Sequence, residues 1–201
     1  LFDLTLSFIG ILLTLPIVLI FSFLIWNQDK ANPIYISERI GYKGDIFKMI
    51  KLRSMIINAD KSGVDSTSAD DPRIISIGKL IRKFKLDEFT QFINIFLGDM
   101  SFVGPRPSVK RDTDLYTKEE QKLLSIKPGL TDFASIVFSD ESKILANSKD
   151  PDISYHQLIR PGKIRLGLFY RKRNYILKDI PIIITLFAIL IRKYALIFVY
   201  I

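Results

Sequence analysis

The run Ile77-Gly-Lys-Leu-Ile-Arg-Lys-Phe-Lys-Leu-Asp-Glu-Phe89 places two adjacent carboxylates, Asp87 and Glu88, shortly after three cations. Apolar residues recur at helical spacing up to Phe84, and a second apolar stripe, out of phase with the first, begins at Leu86. This change of phase predicts two amphipathic helices with a break at residues 84–86, and Asp87 would start the second helix. Nearby positive charge and the helix N-terminus would hold its carboxylate ionised, ready to attack phosphorus or bind a divalent cation. Taken alone, the stretch more often signifies a plain N-cap followed by a first-turn acid.

The composition narrows the classes of function. The chain of 201 residues fits one domain with appendages, and its lack of cysteine excludes disulfides and thiolate metal sites. The single histidine, His156, has no GxSxG segment to build a Ser-His-Asp triad with, so we expect it to be structural. A net charge of +8 suits a polyanion, an anionic membrane surface or a phosphorylated substrate. Nucleic acid is disfavoured because the chain shows no helix-turn-helix, zinc-finger spacing or RNP-like strand.

Residues 4–26 carry no charge, and as a straight helix they would measure about 35 Å, enough to cross a bilayer core. Pro16 lies in the middle of this run and predicts a kink there. A kinked helix can either span the membrane or turn back, and hydropathy alone favours the simple span. At the other end, residues 175–201 are apolar but broken by charges, which predicts an interfacial amphipathic helix.

Three segments between these ends also carry signals. A strand at Ile34–Ile36, a loop with Gly41 and Gly44, and a strand with a basic face at Phe47–Met55 are predicted from the pattern. Residues 133–138 form an apolar run that predicts another strand. Pro105 and Pro107 fix the backbone on both sides of Arg106. The arginine would then bind phosphate oxygens from a rigid position, or the segment is a simple surface turn.

Together these segments resemble the bacterial sugar transferase family, the small monotopic phosphoglycosyl transferases, over nearly the whole chain. The order and spacing of several motifs carry the resemblance: Arg39-x-Gly41-x-x-Gly44, Lys51-Leu-Arg53-Ser-Met55, Asp71-Pro-Arg-Ile74, Arg82 with Leu86-Asp87-Glu88, Gly98-Asp-Met-Ser-Phe-Val-Gly-Pro-Arg106-Pro107, and Lys127-Pro-Gly-Leu-Thr131.

The resemblance implies a reaction and its residues. Such enzymes transfer a phosphosugar from a UDP-sugar to undecaprenyl (polyprenyl) phosphate and release UMP, with Mg2+ as cofactor. By family likeness Asp87 is the nucleophile, forms the covalent intermediate and lies against the metal, while Glu88 orients it or assists proton transfer. Four basic residues would bind substrate or phosphate: Arg82, Arg106, Lys51 and Arg53.

The resemblance also implies an architecture. We expect an α+β fold: a compact, mostly helical, membrane-associated domain with short strands, a re-entrant membrane helix at 1–26, and a catalytic domain at 27–201 that ends in interfacial helices. This places the protein on the cytoplasmic face of the bacterial inner membrane, in contact with lipids. The resemblance is also compatible with a homodimer. Two departures stand out. Leu15-Pro16 replaces the family's Ser-Pro, so that Thr14 would supply the missing hydrogen bond, and Asp132-Phe-Ala-Ser135 replaces Gly-Trp-Ala-Gln, which leaves the sugar open.

A second class of function is a non-catalytic, basic, membrane-anchored binding module that has kept the fold. The presence of Asp87, Glu88, Arg82 and Arg106 argues against it, because a module without chemistry does not need this combination of charges.

Overall fold

The computed structural model describes residues 1–63, 67–68, 71–139, 141–146, 148, 150–172 and 179–185. The fold is α+β, as expected, with short strands among many helices: α1 (Phe2–Asp29), β1 (Ile34–Ile40), β2 (Ile46–Leu52), α2 (Ser76–Lys83), α3 (Gln91–Leu97), β3 (Ser101–Val103), α4 (Lys110–Thr113), β4 (Gly129–Thr131), α5 (Phe133–Val137), α6 (Glu141–Ile144), α7 (Pro151–Ser154) and α8 (Arg160–Lys172). Short 3-10 helices lie at Tyr42–Gly44, Ala59–Ser62, Leu86–Glu88 and Glu120–Ser125, a π-helical turn lies at Tyr155–Ile159, and residues 179–185 are helical.

The strands form two small sheets. The predicted hairpin is confirmed, since β1 and β2 pair antiparallel from Ile34 opposite Leu52 to Ile40 opposite Ile46. β3 and β4 pair in parallel. The strand predicted at 133–138 is wrong: Phe133–Val137 form α5, which begins where the Asp132 carboxylate accepts a hydrogen bond of 2.7 Å from the Ser135 amide. An N-cap of this kind lets a short apolar run start a helix.

Two hydrophobic clusters hold the elements together. The larger joins β2, α3, β3, α8 and the helix at 179–185 through Met49, Ile95, Met100, Phe102, Val103, Tyr170 and Ile182. The smaller joins α1, β2 and α2 through Ile25, Leu52, Ile75 and Ile81. The site described below lies on the turn between α2 and α3, where Leu86 packs against the smaller cluster and Phe92 packs against the larger.

Helix α1 is attached to the rest of the domain at both ends. Near its start, the Asp3 carboxylate accepts a hydrogen bond of 3.2 Å from the Phe102 amide. At its last residue, Asp29 pairs with Arg53 at 2.7 Å. Between these points, Gly10 packs so close to the Phe92 ring that an added Cβ would meet it at 3.0 Å. The helix therefore lies along the domain instead of projecting from it.

A kink was predicted at Pro16. The helix is not interrupted there, and α1 runs as one helix from Phe2 to Asp29. Thr14 does not replace the hydrogen bond that the proline removes. Its hydroxyl donates to the Gly10 carbonyl at 2.7 Å, whereas a proline at position 16 frees the carbonyl of Leu12.

Apolar side chains on the outer face of α1 remain exposed, among them Leu13, Leu19, Ile20 and Phe23. The exposed surface continues onto α3, where the ring of Phe96 lies tilted against that of Phe8 with the centroids 6.2 Å apart. In the described part of the chain, α1 is the one helix long and apolar enough to cross a membrane. An apolar surface of this extent indicates membrane association. Most of the predicted C-terminal interfacial helix lies outside the described residues.

Candidate active site

The predicted break between α2 and α3 is confirmed. A short turn at this break carries both carboxylates. Lys85 adopts a left-handed backbone conformation, with φ of 53°, and Leu86–Glu88 then form a 3-10 turn. Helix α3 starts only at Gln91, with Thr90 as its N-cap residue. Asp87 is therefore not the N-cap of the second helix, and the simpler explanation of this stretch does not hold.

Two polar residues of α3 and its cap fix this turn against strand β2. The Thr90 hydroxyl contacts the carbonyl oxygens of Ile50 at 3.0 Å and Asp87 at 3.2 Å. The Asn94 amide donates to the Lys48 carbonyl at 2.8 Å and accepts from the Ile50 amide at 3.0 Å. Neither residue was predicted to belong to the site. Their signal was a pair of polar side chains on an otherwise apolar helix face, where burial demands hydrogen-bond partners.

Strand β2 delivers the first cation to Asp87. The Lys51 ammonium lies 3.9 Å from the Asp87 carboxylate, and the side chain of Asp87 is 13% exposed. Arg82, from α2, donates to the Ser54 hydroxyl at 3.5 Å and acts on Asp87 through its charge. Glu88 accepts a hydrogen bond of 2.6 Å from Arg106, the arginine between the two prolines. The structure thus brings together five of the six predicted site residues.

Arg53 is the sixth, and its predicted role in phosphate binding does not fit. Its guanidinium makes two hydrogen bonds of 2.7 Å with the Asp29 carboxylate, and others with the carbonyl oxygens of Asn32 and Met55. These contacts neutralise its charge and occupy most of its donors. Arg53 therefore clamps the end of α1 to the segment after β2.

The two carboxylates differ in their electrostatics. Burial raises the pKa of Asp87 above its usual value, although Lys51, Arg82 and Arg106 oppose this. Burial also disfavours the ionised form of Glu88, but Arg106, Lys51 and Lys85 outweigh it and lower the pKa of Glu88 to about 2. The expected influence of the nearby cations is present at Asp87, but burial acts against it, and the direct hydrogen bond from Arg106 goes to Glu88.

Lys51 is affected by the same crowding of charge. Burial lowers the pKa of Lys51 to about 8, and Arg106 adds to this shift, while Asp87 and Glu88 oppose it. Three cations and two carboxylates thus share a partly buried site. A site of this kind favours a ligand that brings additional negative charge, such as a diphosphate.

Mg2+ fits these residues as a cation that arrives together with a phosphate ligand. No group of three acidic or histidine side chains that could hold a metal occurs within the described ranges. Protein-bound Mg2+ commonly uses one or two carboxylates and completes its shell with substrate phosphates and water. Asp87 would provide the protein ligand, since Glu88 is committed to Arg106.

The segment around Arg106 is held by residues from the second half of the chain. The Ser108 hydroxyl and the Tyr116 hydroxyl share a hydrogen bond of 3.0 Å. Arg160 lies 5.6 Å from the Tyr116 ring centroid and pairs with Glu120 at 3.3 Å. The His156 imidazole lies 3.8 Å from the Asp112 carboxylate. These contacts keep Arg106 next to Glu88.

The family model named "Bacterial sugar transferase" matches residues 1–193. An undecaprenyl-phosphate N-acetylgalactosaminyl 1-phosphate transferase of Bacillus subtilis, which carries "Putative" in its name, is 41% identical over 58% of this chain and 65% of its own length. The UDP-N-acetylgalactosamine-undecaprenyl-phosphate N-acetylgalactosaminephosphotransferase of Aeromonas hydrophila is 31% identical over 67% of this chain and 33% of its own. The undecaprenyl-phosphate galactose phosphotransferase of Salmonella typhimurium is 32% identical over 65% of this chain and 30% of its own length.

In each of these alignments the chain covers less than two thirds of the relative's length. The match of the family model, in contrast, extends over nearly all of the chain and includes every residue of the site described above. The chain belongs to the bacterial sugar transferase family.

Proposed function

We propose that the protein transfers a phosphosugar from a UDP-sugar to undecaprenyl phosphate or a similar polyprenyl phosphate, with release of UMP. The observation that carries the proposal is the setting of Asp87, a partly buried carboxylate on a fixed turn with Lys51 at 3.9 Å and with Arg82 and Arg106 acting on it. The names of the relatives support an undecaprenyl-phosphate acceptor and a sugar-phosphate donor.

In the proposed first step, an oxygen of Asp87 forms a bond to the β-phosphorus of the donor. The bond from that phosphorus to the bridging oxygen breaks, and UMP leaves with the electron pair. The result is an aspartyl phosphosugar. In the second step, a phosphate oxygen of the acceptor attacks the same phosphorus, and Asp87 is released as a carboxylate. Two transfers with a covalent intermediate allow one site to serve the two substrates in turn.

The cations lower the cost of bringing an anionic nucleophile to an anionic phosphate. Lys51 comes from β2, Arg82 comes from α2, and Arg106 comes from the segment after β3. Charge stabilisation by positioned groups in a site that excludes water is a large part of such catalysis. A bound Mg2+ would supply further neutralisation of the diphosphate. Glu88, kept ionised by Arg106, would hold that arginine in place.

The proposed location is the cytoplasmic face of the bacterial inner membrane. A straight span would require one end of α1 to cross the bilayer, yet Asp3 and Asp29 both contact the same domain as the site. A helix held at both ends in this way supports entry and exit on one side. Basic residues after Asn27, including Arg39 and Lys43, favour the cytoplasmic side.

The test is UMP release from a panel of UDP-sugars with undecaprenyl phosphate and Mg2+, using the protein in detergent or nanodiscs. We expect UMP release with at least one donor, and its loss when Mg2+ is chelated. Intact-mass analysis after rapid quenching without acceptor should show a phosphosugar on the protein, absent from Asp87→Asn. A wild-type protein that binds donors but releases no UMP with any of them would support the binding module instead.

A further inference from the structure

A second charged pair lies on α6 and α8, two helices that the reaction above does not use. The Lys163 ammonium, from the first turn of α8, contacts the Glu141 carboxylate at 2.5 Å. The same ammonium lies 5.0 Å from the centroid of the Tyr155 ring. The side chains of Lys163 and Glu141 are 19% and 34% exposed, so the pair is sheltered but accessible.

Packing of α8 fixes the position of this pair. Gly162 lies so close to Phe138 that an added Cβ would meet the ring at 2.5 Å, and Glu141 follows Phe138 by three residues. Phe133 and Phe169 meet edge-on at 5.9 Å between α5 and α8. Tyr155 belongs to a π-helical turn, a feature often found at functional sites. The pair is therefore part of a rigid surface.

Packing of α8 brings the pair close to the segment that carries Arg106, since a Cβ added to Gly167, one helical turn after Lys163, would lie 3.5 Å from the side chain of Pro105. The pKa of Arg106 is raised chiefly by Glu88, and Glu141 adds to this effect. Burial lowers the pKa of Lys163, and the positive charge of Arg106 contributes to the shift. The charge of Arg106 is thus coupled to Glu88, which it contacts directly, and to the charges of Glu141 and Lys163.

The chemistry of the pair differs from that of the catalytic turn. Lys51, Arg82 and Arg106 present positive charge, which suits phosphate. A lysine next to a glutamate is neutral as a pair and offers ammonium donors beside carboxylate acceptors. Adjacent donors and acceptors match a neutral group with several hydroxyls, each of which can both donate and accept.

We propose that the Lys163–Glu141 pair, supported by Tyr155, binds sugar hydroxyls of the donor while Arg106 binds its phosphate. This inference rests on the proposed function and identifies its donor-recognition site. Two parts of a UDP-sugar carry such hydroxyls, the hexose and the ribose, and the experiment separates them. A site that makes hydrogen bonds to substrate hydroxyls discriminates strongly against donors that lack or invert them.

The experiment compares Lys163→Met, Glu141→Gln and the charge swap Lys163→Glu/Glu141→Lys with the wild type. The matched control is Lys122→Met, since Lys122 also pairs with a glutamate, Glu119, but on an exposed surface. For each variant we would measure KM and kcat with UDP-N-acetylgalactosamine, UDP-galactose and UDP-glucose, the inhibition constant of UMP, and the melting temperature. Donor binding without acceptor would be measured by titration calorimetry.

We expect KM and the donor dissociation constant to rise about 10- to 100-fold in both single variants, as for a lost hydrogen bond to a charged group, with kcat changed little. The ratio of the KM values for UDP-galactose and UDP-glucose, two donors that differ in the configuration of one hydroxyl, should also change. If UMP binding is unaffected, the pair recognises the hexose; an equal loss for UMP assigns it to the ribose. The charge swap should recover thermal stability but not donor binding.

A structural ion pair would give the opposite result: lower melting temperatures, full recovery by the swap, and donor constants like those of the Lys122→Met control. That outcome would overturn the inference while wild-type UMP release leaves the proposed function intact. If the wild type releases no UMP, calorimetry still decides, because donor binding that depends on Lys163 supports the inference. Absence of both turnover and binding in the wild type would refute both proposals.

Discussion

Asp87 combines burial with a position on a turn that packing holds in place, and this combination is what a nucleophile requires. Asp87→Asn keeps the shape of the side chain but removes the anionic oxygen, so we expect UMP release to fall at least about 100-fold. Because Asn can retain the local contacts, the melting temperature should stay close to that of the wild type. The assay with undecaprenyl phosphate measures the loss.

The control for this prediction is Asp114→Asn, which changes an exposed aspartate paired with Lys110 on α4 and should keep full activity. Retention of more than a few per cent of activity by Asp87→Asn would contradict the covalent route.

Asp71 offers a separate test at the scale of one residue, because its charge has a structural role. Hydrogen bonds from Arg73 lower the pKa of Asp71, against the effect of burial. A lowered pKa means that the stabilisation is complete above the ordinary value near 4 and is lost as the pH falls through the native value. We expect Asp71→Asn to lower the melting temperature by about 2–4 °C at pH 7.

The difference between wild type and Asp71→Asn should shrink below about pH 4, where the unfolded chain already binds the proton. Thermal scans in detergent from pH 3 to pH 8 would measure it. A difference that stays constant over this range would show that the Asp71–Arg73 ion pair does not contribute to stability.

The site could be predicted from the sequence where charge and motif agree, as at Asp87, Glu88 and Arg106. It could not be predicted where a residue's role depends on a partner far away in the chain. Arg53 has a motif typical of a phosphate site, but Asp29, which lies 24 positions earlier, takes up its guanidinium. Thr90 and Asn94 bind backbone atoms of β2 about 40 positions away. Contacts of this range leave no periodic signal.

At the scale of elements, the Arg53–Asp29 clamp joins α1 to the segment that follows β2. Removing either charge should destabilise the protein by about 1–3 kcal/mol, since the pair is bidentate and Arg53 is buried while Asp29 is partly exposed. We expect Arg53→Gln and Asp29→Asn to have similar effects and the double variant to lose little more than either. Chemical unfolding in detergent would measure this.

The same variants distinguish the clamp from phosphate binding. With a structural Arg53, the KM for the donor should stay within about twofold of the wild type in Arg53→Gln, as it should in Asp29→Asn. A donor KM that rises in Arg53→Gln alone would restore the role that the motif suggested.

A helix or strand could be predicted from the sequence when it was long enough to show a clear periodicity of apolar residues. The α2–α3 break and the β1–β2 hairpin follow from apolar spacing and from glycines between the strands. The run at 133–138 is too short to separate a strand from a helix by periodicity, and the N-cap of Asp132 decides for the helix. Pro16 did not break α1, because contacts along both halves of the helix hold it to the domain.

For the whole molecule, attachment of α1 at both ends predicts where its N-terminal end lies. The chain contains no cysteine, so Leu1→Cys introduces the single thiol. We expect this thiol to resist a membrane-impermeant maleimide in intact cells and to react after permeabilisation, because Asp3 stays next to Phe102. Lys43→Cys, on the exposed loop of the hairpin, should behave in the same way.

Strong labelling at Leu1→Cys in intact cells, with Lys43→Cys still protected, would mean that α1 crosses the bilayer and that its contact with Phe102 is lost in the membrane. The assignment of Asp87 does not depend on that result.

The double attachment of α1 also bears on how such a protein can be controlled. Many peripheral proteins bind membranes through a hinged or lipidated anchor, and cells recruit or release them by changing that anchor. Here Ile25 of α1 is fully buried in a cluster shared with β2 and α2, so the long apolar helix is also part of the core. At the proposed membrane location, release of α1 from the bilayer would therefore disrupt this cluster. We expect such a protein to stay at the bilayer once it is made, with its amount there set by its synthesis and not by recruitment.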